Sequence, residues 1–260
     1  MQPLGATWPA EHGPQVPTGR HWPPPTGWHV SIVAETGSTN ADLLAAAREG
    51  AQDRSVLVAA HQTAGRGRLD RRWEAPPGAN LLVSVLFRTI PAQPHELTRR
   101  VALAAVAAAA DAAGVGAVLK WPNDLLVEGR KLAGILAEAG GSGPGARIDH
   151  VVVGLGMNVG WAPPGAARLG DGVHPLDVLG ALLTAFDQLP ADPGELHERY
   201  RANLATLGQQ VRVEQASAVL EGRAIDVEPD GRLVVLDGCA ATHRLDVGDV
   251  VHLRPVAADG

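Results

Sequence analysis

A single cysteine, Cys239, stands in a chain of 260 residues, so no internal disulfide can form and no cysteine-based zinc site can be assembled. The ten histidines are scattered, without the i, i+4 spacing of a metal-binding helix. Aromatic side chains make up only 3% of a sequence that is 45% hydrophobic, and much of that is alanine. The core must therefore be closed by small groups packed at short range. No apolar run is long enough to span a bilayer; the best, Val101 to Ala113, is mostly alanine and stops at glycine. Basic residues number 22 against 28 acidic ones, a net charge of −6, so the chain as a whole has no electrostatic case for binding nucleic acid. A basic-then-apolar signal pattern is also missing at the N-terminus. These absences fit a cytoplasmic protein that touches neither membrane nor DNA.

What is present falls into three stretches. Residues 1–27 are rich in proline and carry no helical or strand period, the pattern of a flexible tail. Residues 28–207 mix both periods. Strands are expected at Trp28–Ala34, Ser55–Ala60, Leu81–Phe87, Leu125–Val127, Lys131–Glu138 and Ile148–Leu155. One helix is expected to run to Arg48 from Ser38 and Thr39, which can cap it. Others are expected at Glu96–Ala113, at Leu176–Leu189, and at Pro193–Leu207 with Gly208 as the stop. In residues 208–260 short strands take over, at Val211–Glu214, Gly222–Val227, Leu233–Leu236 and Val250–Leu253, with hairpin turns at Asp230-Gly231 and Asp237-Gly238. The pattern predicts an α+β catalytic domain, a mixed and mostly antiparallel sheet covered by helices, followed by a small SH3-like β-barrel.

Two segments carry the chemistry. His61 to Asn80 sets Gly65, Gly67 and Gly78 beside Arg66, Arg68, Arg71 and Arg72, with no helical or strand period. Glycine lets a backbone approach a ligand with its N–H groups bared, and arginine adds a rigid fork of donors that matches carboxylate or phosphate. Such a loop either encloses an anion or is a solvated surface loop. Repulsion among its arginines predicts that Gly65–Gly78 is mobile until an anionic ligand arrives. The second segment runs from Lys120-Trp121-Pro122-Asn123-Asp124 through a tight turn at Glu128-Gly129-Arg130 into Lys131-Leu132-Ala133-Gly134-Ile135-Leu136. A lysine beside so apolar a strand is either a snorkelling edge residue or a working cation. Trp121 reads as a core residue.

Joined to Ser38-Thr39-Asn40, Gln62, Trp73, Gly78-Ala79-Asn80-Leu81 and Gly154-Leu155-Gly156-Met157-Asn158, these blocks resemble the biotin protein ligases in order and spacing, from Ser38 to the C-terminus. The resemblance implies two half-reactions: biotin and ATP give biotinyl-5′-AMP and pyrophosphate, and a carrier lysine then displaces AMP. It implies Lys131 and Arg68 as the catalytic groups, which offset the repulsion between a carboxylate and the α-phosphate. Biotin's neutral ureido ring would take matched donors and acceptors from Ser38, Thr39, Asn40 and Gln62. Gly65, Arg66, Gly67, Arg68 and Lys131 would surround the rest of the ligand, with Gly134, Gly154 and Gly156 leaving a slot for its valeryl chain. Arg66, Arg68, Trp73, Lys120, Asn123, Asp124, Lys131 and Asn158 would hold ATP. Mg²⁺ would arrive with ATP, bound largely by phosphates and water, with no protein metal site. The implied acceptors are biotin carboxyl carrier domains of acyl-CoA or pyruvate carboxylases.

Three other readings fit the sequence less well. A lipoate ligase or acyltransferase shares the fold and also keeps a lysine, but the Gly65–Arg68 loop and the Lys120–Asp124 block favour biotin. A bifunctional ligase–repressor needs an N-terminal winged helix, which the proline-rich residues before the first strand do not spell. A plain nucleotide- or nucleic-acid-binding module would leave Lys131, Gln62 and Ser38 without a task. Leu69-Asp70 departs from the family, where a small or basic residue is usual here; Asp70 is a candidate partner for Arg71 or Arg72.

Overall fold

The computed structural model describes residues 24–69, 71–141, 147–214, 219–246 and 249–252. The pairing of Asp70, nearly all of the proline-rich tail, most of the Gly140–Ala146 loop and Leu253 lie outside the described residues. The chain forms β1 His29–Thr36, α1 Thr39–Arg48, β2 Ser55–Gln62, β3 Leu81–Phe87, α2 Glu96–Ala113, β4 Val118–Lys120, β5 Asp124–Val127, β6 Arg130–Gly140 and β7 His150–Met157. There follow α3 Pro175–Asp187, α4 Pro193–Asn203, β8 Gln210–Glu214, β9 Val219–Val227, β10 Leu233–Asp237, β11 Thr242–Leu245 and β12 Asp249–His252.

Seven strands make the larger sheet, in the order β1-β2-β3-β7-β6-β5-β4. β1 and β2 run parallel, joined by α1, and the other neighbours pair antiparallel. Helices on both faces explain why β3 is buried throughout instead of alternating, with Ser84 its one polar side chain. Leu81, Val83, Val85 and Phe87 share one buried cluster with α2 and α3. There Ala104, Ala105, Ala108 and Ala109 are fully buried, so small side chains let the two helices close up, as the scarcity of aromatics requires. On the opposite face Leu43 and Ala47 of α1 pack on Leu57, Leu86 and Val152. α1 covers only part of that face. Its uncovered remainder, which carries Ser84, Gly134, Gly154 and Gly156, becomes the floor of a cleft.

The smaller sheet has five antiparallel strands in the order β11-β10-β9-β8-β12. It is fused to the larger unit through a shared core that includes Val211, Val213, Ala224 and Leu233. Trp121 is buried at this junction, as expected of a core residue, and its indole donates to Gly231 O at 2.9 Å. Arg99 of α2 donates to the carbonyls of Glu228 and Pro229 at 3.0 and 2.9 Å.

Some local expectations need correction. α4 ends at Asn203, not Leu207, because the chain turns extended at Leu204, which bridges Leu119 while Ala205 N–H donates to Leu119 O. β4 and β11, which the sequence reading did not contain, are only three and four residues long. Ser38 occupies the N-cap position of α1, yet its side chain makes no capping hydrogen bond. The turn after Asp237 places its left-handed residue at Ala240 (φ 62°), not at Gly238.

Candidate functional site

A cleft of about 590 Å³ opens where α1 leaves the larger sheet uncovered. Its roof is the arginine segment, which is not irregular but folds back as a small hairpin. Trp73 N–H donates to Gly65 O, Gly67 N–H donates to Arg71 O, and Arg66 bridges Arg72. Gly65 serves the hairpin itself: a Cβ there would stand 2.4 Å from Trp73 O. It is buried and does not border the cleft, contrary to its expected place against biotin.

The floor is a polar chain at the start of α1. Thr39 N–H donates to Gln62 Oε1 at 2.8 Å, and the Thr39 hydroxyl lies 3.0 Å from the same oxygen and 2.7 Å from Ser84 Oγ. Ser84 in turn donates to Asn40 Oδ1. Two hydroxyl protons serve three contacts, so the chain is one donor short and can take an N–H from a ligand. Ser84 is fully buried, and sequence reasoning passed over it. A lone hydroxyl within Leu81-Leu82-Val83-Ser84-Val85-Leu86-Phe87 was the signal that could have found it.

The glycines of the floor do separate jobs. A Cβ on Gly154 would lie 2.2 Å from Asn40 Oδ1, so this glycine makes room for the Asn40 amide rather than for a ligand chain. Cβ atoms on Gly156 and Gly134 would meet the Trp73 ring at 2.5 and 3.2 Å. The indole therefore lies flat on the glycine floor, with Lys131 Nζ 5.6 Å from its centroid and its own Nε1 buried without a hydrogen-bond partner.

Charge enters from the hairpin and from β5–β6. Arg66, Arg68, Arg71, Arg72 and Lys131 border the cleft against the carboxylates of Glu74 and Asp124, so a chain of net negative charge holds a cationic pocket. Lys131 Nζ pairs with Asp124 at 2.7 Å. Arg68 donates to Asn123 Oδ1 at 3.2 Å, and Asn123 is itself clipped to β6 through Ile135. Arg66 pairs with Glu138 at 2.9 Å. Arg71 and Arg72, counted in the loop but not among the expected ligand contacts, also border the cleft.

Two other expected nucleotide contacts sit differently. Lys120 does not border this cleft; it faces a second cavity of about 260 Å³ between α2, the 120–124 turn and the β9–β10 hairpin. Tyr200 lines that cavity too, and burial pushes its hydroxyl up to about 12. Asn158 borders the main cleft, but its amide is committed to backbone, donating to Ala167 O at 2.9 Å and to Lys131 O at 3.4 Å. It fastens the wall that Trp161, Pro163 and Ala166 contribute. No cluster of three or more metal-type ligands exists among the described residues.

A neutral polar floor and a cationic roof in one cleft suit an enzyme that activates a carboxylate. The description "Biotin/lipoate A/B protein ligase family" matches residues 34–158, and "Biotin protein ligase C terminal domain" matches residues 206–253. The chain is 42% identical over 252 residues to the biotin–[acetyl-CoA-carboxylase] ligase of Mycobacterium tuberculosis, covering 88% of this chain and 91% of that one. It is 32% identical over 228 residues to the ligase of the same name from Paracoccus denitrificans, covering 78% and 92%. A solved biotin protein ligase from Aquifex aeolicus, in complex with biotin and ATP, matches in fold with a TM-score of 0.70 and 22% identity, over 87% of this chain and 99% of that one. The chain belongs to the biotin protein ligases of the biotin/lipoate A/B protein ligase family.

Proposed function

We propose that this cleft joins biotin to ATP and then passes the biotinyl group to a lysine of a carrier protein. The chain is an ATP-dependent biotin–protein ligase, with biotin and ATP as its substrates. The observation that carries the reading is the meeting, in one cleft, of the Thr39–Gln62–Ser84–Asn40 chain with Lys131 and Arg68. The first is suited to a neutral ureido ring, the second to two anions that must be brought together.

In the first half-reaction a biotin carboxylate oxygen attacks the α-phosphorus, and the bond to pyrophosphate breaks. Lys131 and Arg68 would steady the charge that gathers on the phosphorus oxygens. In the second, the carrier's lysine amine attacks the acyl carbon, AMP leaves, and the amine sheds its proton. Mg²⁺ would enter with ATP and neutralise phosphate charge. Asp124 is already paired with Lys131, so phosphates and water would hold the ion. Biotin carboxyl carrier domains of acyl-CoA or pyruvate carboxylases are the acceptors we assign. We divide the chain into a tail (1–27), a catalytic domain (28–207) and a C-terminal domain (208–260), and place its work in the cytoplasm. Among the described residues no helix is long and apolar enough to cross a membrane.

The test is pyrophosphate release from ATP and Mg²⁺, with biotin or lipoate, on the wild type and on Lys131→Ala. Release with biotin only, reduced by about 10²–10³ in the variant, is the expected result. Release with lipoate alone would overturn the substrate, and none with either would leave a nucleotide-binding module.

A further inference from the structure

Along the floor, Gly134, Leu136 and Glu138 of β6 stand opposite Gly156, Gly154 and Val152 of β7, so all six share one face of the sheet. The carboxylate of Glu138 ends this row, yet Glu138 is not among the residues that border the cleft. Its Oε2 accepts two hydrogen bonds, from Asn40 Nδ2 at 2.8 Å and from Arg66 Nη2 at 2.9 Å. These donors come from the two halves of the site. Asn40 belongs to the polar floor, and Arg66 to the roof, where it bridges Arg72 in the hairpin.

Resting on the ligase reading above, we propose that Glu138 is the positioning residue that registers the arginine hairpin on the biotin floor. It acts through Asn40 and Arg66, not on the reacting atoms. A hairpin bearing Arg66, Arg68, Arg71 and Arg72 repels itself, and Glu138 supplies a counter-charge at its base. The same oxygen fixes the Asn40 amide with Nδ2 toward β6 and Oδ1 toward Ser84. Roof and floor are thereby tied to one atom before any ligand is bound. Because the side chain of Glu138 is only 24% exposed while that of Arg66 is 46% exposed, the tie is fixed at the strand and weakest at the loop.

The experiment compares wild type, Glu138→Gln and Glu138→Ala in the full chain. Trypsin reads the hairpin, whose arginines are its cleavage sites, and pyrophosphate release reads KM for biotin against kcat. Glu138→Gln keeps the shape and an acceptor for Asn40 but has no charge for Arg66. Ligand-free cleavage of its hairpin should rise about tenfold and KM for biotin about tenfold, with kcat changed far less. In Glu138→Ala both effects should be larger. Raising salt from about 0.05 M to about 0.5 M should speed cleavage of the wild-type hairpin toward that of Glu138→Gln and leave the variant unchanged. If Glu138→Ala does not fold, Glu138→Gln and the salt series decide alone. Equal cleavage and equal KM in wild type and Glu138→Gln would overturn the proposal, as would a fall in kcat with KM unmoved. A wild type that releases no pyrophosphate with biotin would sink the ligase reading itself, and the trypsin comparison would still judge the tie.

Discussion

The ammonium of Lys131 lies 2.7 Å from the carboxylate of Asp124, across the β5–β6 hairpin. With side-chain exposures of 41% and 21%, the pair contributes little to stability. Its effect belongs to placement: the carboxylate holds a flexible lysine head over the cleft. Asp124→Asn should therefore lower the rate of pyrophosphate release about tenfold with almost no change in melting temperature. Combined with Lys131→Ala it should add nothing to the loss in Lys131→Ala alone, because the two act as one unit. Additive losses measured in the double variant would show separate roles.

Gly154 and Gly116 separate crowding from backbone freedom. Neither adopts a left-handed conformation, but a Cβ on Gly154 would strike Asn40 while one on Gly116 would meet nothing within 4 Å. Gly154→Ala should destabilise the protein by about 1–3 kcal/mol and weaken biotin binding. Gly116→Ala should stay within about 0.5 kcal/mol of wild type. Denaturant melts with biotin titrations on both variants check the contrast.

Ser84 is buried without any exposure and connects Thr39 to Asn40. Ser84→Ala leaves the Asn40 carbonyl with an unmet acceptor, and a loss of about 1–3 kcal/mol is expected, together with a higher KM for biotin. Melting and steady-state assays on one preparation give both numbers. A variant as stable and as tight-binding as wild type would remove Ser84 from the floor network.

Trp121 seals the junction of the two sheets. Trp121→Phe keeps most of the ring but forfeits the bond to Gly231 O, at a cost of about 1 kcal/mol, whereas Trp121→Ala should cost about 3–5 kcal/mol. Hydrogen exchange should show protection falling in β9 and β10 as well as in β4.

Acid should loosen the same junction. Burial holds His197 below its ordinary value of 6.5, with the charge of Arg99 acting in the same direction, and burial likewise lowers His95. Arg99 donates to His197 Nδ1 at 3.3 Å, which requires the neutral ring. Below about pH 6.5 the unfolded chain takes up protons that the folded chain refuses, so stability is full above that pH and declines as pH falls through it. The melting temperature should drop between about pH 7.5 and about pH 5.5, and drop less in His197→Gln, which accepts from Arg99 without titrating.

Long periodic segments were legible from sequence: β3 and α2 appear with the expected ends because each carries an unbroken pattern. Most of the site residues singled out from sequence border one cleft, but Gly65 and Lys120 do not. What escaped depends on partners distant in the chain. α4 is cut short by Leu119, some eighty residues earlier in sequence. The arginine hairpin shows no alternation, since it is held by a single bridge and backbone bonds between glycines and their neighbours. Lys120 sits three residues from Asn123, which borders the main cleft, yet Lys120 lines only the second cavity. Glu138 reads as an ordinary strand charge until Asn40 and Arg66 arrive beside it.

Asn123 and Asp124 border both cavities, so the 120–124 turn is a party wall between two rooms. One side of that wall is anchored to the larger sheet through Ile135. The other is nailed to Thr206 and Gly231 through Trp121. One five-residue turn therefore joins the chamber in which Lys131 and Asp124 meet to the β9–β10 hairpin of the smaller sheet.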